Sequence, residues 1–108
     1  MGNSVDVHAT VYNRTSSDIS VRIGGMDSYD WRGAVYNDTV LTIPPGGNRS
    51  IASTTTGGAS GCPIQFDEER SGANIRVYYE SPGWRSTSNN NGGVRAYREG
   101  PNVVFENM

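Results

Sequence analysis

The sequence contains no lysine, one histidine and one cysteine. All nine basic residues are arginines, scattered along the chain without a basic run, against eleven acidic ones. With a net charge of −2 and no basic patch, the composition argues against a nucleic-acid partner. It argues equally against purely electrostatic attachment to an anionic membrane. The all-arginine usage is first a matter of genomic composition bias. It still has a physical consequence, because arginine is a planar fork that grips phosphate or carboxylate and stacks on rings, whereas lysine is a mobile point charge.

The lone Cys62 excludes a disulfide within the chain and a multi-cysteine zinc site. The lone His8 would have to serve any Ser-His-Asp or Cys-His arrangement, and no G-x-S-x-G motif is present to meet it. Strand alternation sets His8 on the face opposite Val5, Val7 and Val11, the position of a solvated surface histidine. Cys62 precedes a proline in a Gly-rich stretch and reads as an incidental thiol or small hydrophobe. Asp67, Glu68 and Glu69 offer hard oxygen ligands for calcium, but D-E-E-R-S-G matches no calcium-loop spacing and reads as a solvated hairpin tip. No catalytic residue, metal site or cofactor is expected.

No apolar run reaches the length of a membrane-spanning helix. The opening M-G-N-S-V-D-V-H has no apolar h-region, so no signal peptide is expected, and any export would follow a non-classical route. It also lacks the Ser or Thr of the myristoylation pattern. The sequons at Asn13, Asn37 and Asn48 are read as coincidence in an Asn-rich chain.

What the sequence does hold is alternation. Hydrophobic content is only 34%, with fourteen Gly and five Pro, yet the apolar residues are patterned, which argues against disorder. Val5, Val7, Ala9 and Val11 alternate with polar residues, as do Ile19, Val21 and Ile23. The short turn between them predicts a hairpin. Further strands are expected at Ala34 to Tyr36, Thr39 to Ile43, Ser50 to Thr54, around Ile64 and Phe66, at Ile75 to Tyr79, Val94 to Arg98 and Asn102 to Glu106. In the seventies Ile75, Val77 and Tyr79 point one way, and Arg76, Tyr78 and Glu80 the other. Met26 to Gly33, Thr55 to Gly61 and Glu80 to Gly93 read as loops. No segment supports an amphipathic helix of ten or more residues. About eight short strands at such spacing indicate an all-β chain, a single-domain antiparallel β-sandwich over residues 1–108.

The loops carry the informative aromatics. Tyr29 and Trp31 lie in one, Trp84 lies in another, and Tyr78 sits on the outward strand position leading to it. Arg32 and Arg85 directly follow the two tryptophans. Indoles suit boundaries with one apolar and one wet side, and a guanidinium beside one can take a phosphate. The six residues Tyr29, Trp31, Arg32, Tyr78, Trp84 and Arg85 therefore form the candidate site. The residues alone leave open a lipid headgroup, a sugar, a protein partner, or rings folded back as lids on the core.

Four stretches resemble the aegerolysin family. T-V-L-T-I-P-P-G-G-N-R-S-I-A-S (39–53) is similar to its strand, Pro-containing turn and second strand. I-R-V-Y-Y-E-S-P-G-W-R-S-T-S-N (75–89) resembles its aromatic-rich strand followed by an acidic residue, Pro, an aromatic and a polar loop. V-D-V-H-A-T-V-Y-N-R-T (5–15) resembles the N-terminal strand, and D-W-R-G (30–33) falls where a loop tryptophan is expected. The resemblance covers about residues 5–90. Aegerolysins are small acidic all-β proteins of fungi and bacteria with an actinoporin-like fold. Many bind membrane lipids, notably sphingolipids, and several form lytic pores with a larger partner, some as halves of binary insecticidal toxins. The resemblance implies peripheral, reversible lipid binding, with Trp31 and Trp84 facing the membrane and Tyr29, Tyr78 and Arg85 around a headgroup. It does not imply a particular lipid: Thr55 to Gly61 lacks the family's acidic residue, and Ser81 stands where the family has Cys.

Overall fold

A computed structural model of the chain describes residues 5–25, 31–33, 39–55, 63–79 and 85–108. These residues form ten strands and no helix, and so none long and apolar enough to cross a membrane. The strands are β1 (Val5–Arg14), β2 (Ile19–Gly25), β3 (Trp31–Gly33), β4 (Thr39–Ile43), β5 (Asn48–Thr55), β6 (Pro63–Glu68), β7 (Asn74–Tyr78), β8 (Arg85–Asn89), β9 (Val94–Glu99) and β10 (Asn102–Asn107). They make two five-stranded sheets, in the orders β3-β5-β1-β10-β9 and β4-β2-β6-β7-β8. Every pairing is antiparallel except β1 with β10. The protein is an all-β sandwich.

The alternation read from the sequence is the alternation of burial. Val7, Ala9 and Val11 of β1, Val21 and Ile23 of β2, Ile64 and Phe66 of β6, Ile75 and Val77 of β7 and Phe105 of β10 fill the space between the sheets. Burying each such side chain stabilises the fold by about 1.5–3 kcal/mol.

Three expectations are corrected. Strands β1 and β2 are not a hairpin, because they belong to different sheets. The reason is Asn13, fully buried at the end of β1. Its Nδ2 donates to the Ile43 and Ser17 carbonyls, both at 2.8 Å, and its Oδ1 accepts from the Thr15 amide and hydroxyl. That amide satisfies the backbone of a turn leading from one sheet to the other.

Second, two stretches expected as loops contain strands. Trp31–Gly33 pairs with β5, and Arg85–Asn89 pairs with β7. Both are sheet edges, so β8 folds on backbone hydrogen bonds and needs no apolar alternation; its R-S-T-S-N carries none. The expected strand at Ala34 to Tyr36 lies outside the described residues.

Third, Asp67 to Glu69 is not wholly a solvated tip. Glu68 is 2% exposed, and its carboxylate accepts from the amides of Ser20, Arg70 and Ser71 and from the Ser71 hydroxyl. The hairpin turn it holds packs against Gly92, whose φ is +59°; an added Cβ there would come 2.7 Å from the Ser71 carbonyl oxygen.

The turns that cross between sheets fix the two ends of the sandwich. Residues 15–18, 44–47 and 90–93 all join one sheet to the other at the same end, beside the β6–β7 turn. The register therefore carries Val5, Gly25, Trp31, Thr55, Pro63, Tyr79 and Arg85 to the opposite end.

Candidate functional site

At that opposite end the last residue of β7 and the first of β8 are register partners, Tyr78 and Arg85. Both lie on the outer face of the second sheet, since Ile75, Val77 and Tyr79 take the inward positions. The Arg85 guanidinium sits over the Tyr78 ring, 4.4 Å from its centroid, within the range of a cation–π contact. Arg85 itself is exposed. The ring face holds the cation, and a guanidinium stacked in this way keeps N–H donors for a ligand.

The other candidate residues divide. Tyr29 and Trp84 lie outside the described residues. Trp84 immediately precedes Arg85 in the chain. Trp31 and Arg32 are strand positions of β3, paired with Thr55 and Thr54. β3 is an edge of the first sheet on the side where β5 meets β4, whereas β8 lies on the side where it meets β9. Positions 31 and 85 thus share an end of the sandwich but sit at opposite sides of it. Four strand spacings of about 4.8 Å separate the two edges by roughly 19 Å, more than one headgroup spans.

Sequence reasoning missed Arg76. It lies two residues before Tyr78 on the same outer face, opposite Thr87 of β8. Its Nε donates to Gln65 Oε1 at 3.1 Å. Gln65 in turn donates to Asp67 Oδ1 at 2.9 Å, and Asn89 donates to Asn74 Oδ1 at 3.1 Å. The signal for Arg76 in the sequence is the outward parity that it shares with Tyr78.

Charge is handled differently on the other sheet. On its outer face Arg14 pairs with Glu99 at 3.3 Å and Arg95 with Glu106 at 2.5 Å. Arg14 also lies over Tyr12 and donates to the Tyr97 hydroxyl, and Arg95 lies over Tyr97. Val104, between Tyr12 and Tyr97 in register, is fully buried on this outward side. There Arg14 and Arg95 are each closed onto a glutamate and a tyrosine. Neither Arg76 nor Arg85 has a carboxylate partner among the described residues.

The acidic cluster is dispersed. Asp67 accepts from Gln65, Glu68 is used internally, and Glu69 pairs with Arg22 at 2.8 Å. Among the described residues no group of three His, Cys, Asp or Glu side chains is placed to hold a metal ion. His8 is exposed on β1 opposite Ala52, and Cys62 lies outside the described residues. Tyr79 points inward and donates to the Pro101 carbonyl at 2.9 Å; burial pushes its phenol pKa well up, against the pull of Arg98.

Comparison with known protein families, with curated proteins and with solved structures gives no match.

Proposed function

We propose that this β-sandwich is a membrane-lipid binding protein that takes a sphingolipid-type headgroup, without catalysis, at the end where Tyr78 and Arg85 meet. The observation that carries the reading is the Arg85 guanidinium fixed 4.4 Å over the Tyr78 ring, next in the chain to Trp84. A held cation beside an indole suits an interface where the head is polar and the floor apolar. Burying one indole in the interface contributes at most about 4–6 kcal/mol before ordering costs, from roughly 150–250 Å² at about 25 cal/mol/Å². Two such rings, Trp31 and Trp84, would support reversible peripheral binding. In this reading the protein is the recognition component of a pore-forming cytolysin or binary toxin, and lysis requires a larger partner protein. Co-sedimentation with vesicles across a lipid panel tests it; retention on no lipid, with a hit on a glycan array, would replace it.

One observation favours that second, lectin-like reading. β8 presents Thr87 and Asn89, an exposed hydroxyl and an exposed amide, on the outer face that also carries Tyr78. Sugar hydroxyls use such donors and acceptors, and the glycan array reads them directly.

A further inference from the structure

We infer that Arg76 and Arg85 together form a phosphate-binding site on the outer face of the second sheet, with Tyr78 and Thr87 completing it. The inference rests on the headgroup reading for the source of the phosphate, not for the site's chemistry. The four residues occupy adjacent outward positions of one antiparallel pair: Tyr78 opposite Arg85, and Arg76 opposite Thr87. Directly opposed positions lie about 5 Å apart and diagonal ones about 7–8 Å, so the two arginines are diagonal neighbours across the square. A phosphate group placed between them meets donors from both forks.

Among the described residues each guanidinium is held by a neutral group and not by a carboxylate. Arg85 is stacked on Tyr78, and Arg76 gives only its Nε to Gln65 Oε1. The terminal nitrogens of both forks keep their donors, and two like charges are maintained on one small area. The opposite sheet shows what this chain does with arginines on a sheet face: Arg14 and Arg95 are each closed onto a glutamate. On β7 and β8 that closure is absent among the described residues, and the nearby carboxylate of Asp67 is engaged by the Gln65 amide. A pair of forks with no carboxylate partner among the described residues, beside a tyrosine ring and a threonine hydroxyl, is suited to a phosphate mono- or diester, which arginine binds in a bidentate way. Being exposed, the site binds weakly and loses affinity as salt rises.

The test titrates the protein with inorganic phosphate and with phosphocholine while following the arginine Nε–H resonances by NMR. The expected result is a saturating shift of the Arg76 and Arg85 signals, with Arg49 unmoved. R76Q and R85Q should each weaken binding about tenfold, the effect of losing one charge-assisted contact, and R49Q should leave it unchanged. A shift spread equally over Arg49, or one that survives in R76Q, overturns the site. A parallel arm sediments the protein with sphingomyelin vesicles and with phosphate-free galactosylceramide vesicles. If R76Q sediments like the unsubstituted protein, the site is overturned while the membrane reading stands. If soluble phosphate binds at Arg76 and Arg85 but no vesicle does, the site stands with a soluble phosphate ester as its ligand, and the membrane reading falls.

Discussion

The Glu68 carboxylate accepts two hydrogen bonds from Ser71, one from its amide at 2.7 Å and one from its hydroxyl at 2.8 Å. With the Ser20 and Arg70 amides added, a buried acid organises the β6–β7 turn and ties it to β2. Burial pushes the Glu68 pKa up, but the hydrogen bonds from Ser20, Ser71 and Arg70 outweigh it and hold the pKa below the usual carboxylate value.

The sign of the pH dependence follows. A folded pKa below the unfolded one means that Glu68 stabilises the fold above the unfolded value of about 4.3, and that this contribution is lost as pH falls through the folded pKa. Glu68→Ala should cost about 2–3 kcal/mol at neutral pH by leaving several donors unpaired. Its unfolding free energy should also fall less than that of the unsubstituted protein on acidification below about pH 4. Urea titrations at several pH values measure both.

Asn13→Asp makes a sharper change. The carboxylate would face the Ile43 and Ser17 carbonyl oxygens that the amide now serves. Burial and those oxygens would raise the new acid's folded pKa, so the variant should keep most of its stability at acid pH and lose on the order of 3 kcal/mol as pH rises to neutrality. Thermal melts from acid to neutral pH check the trend; a flat profile would show that the turn rearranges.

Val104→Ala should destabilise by about 2 kcal/mol although the residue lies on an outward sheet face, because Val104 is fully buried between Tyr12 and Tyr97. A loss within about 0.5 kcal/mol, the range of ordinary surface changes, would mean that the tyrosines close over the gap.

Much of the fold was legible because it obeys a period of two. Ile75, Val77 and Tyr79 face inward and Tyr78 outward, as their alternation requires. Pairing was less legible. The turn after Asn13 is as short as a hairpin loop, and it is the strand pairing, with the contacts of a buried amide, that shows it changes sheets. Edge strands were hidden for a different reason: Arg85–Asn89 needs a neighbour only on one side and so carries no apolar signature. In the site, Arg85 is marked in the sequence by its neighbour Trp84, whereas the significance of Arg76 depends on Gln65 and Thr87, residues eleven positions away on each side of it. Glu68 shares the inward parity of Ile64 and Phe66, but its charge within D-E-E-R-S-G points to solvent, and only its hydrogen bonds from Ser20, Arg70 and Ser71 account for its burial.

In the proposed function the end where Tyr78 and Arg85 meet takes a lipid headgroup, and Trp84 directly precedes Arg85 in the chain. The most direct measurement is co-sedimentation of the unsubstituted protein, Trp84→Ala and Arg85→Gln with sphingomyelin vesicles, with the Tm of each recorded alongside. The account predicts that the unsubstituted protein sediments, that Trp84→Ala abolishes and Arg85→Gln strongly weakens sedimentation, and that both variants melt within a degree or two of the parent. Sedimentation unaffected by either change, or a large fall in the Tm of Trp84→Ala that marks the ring as core, would contradict it.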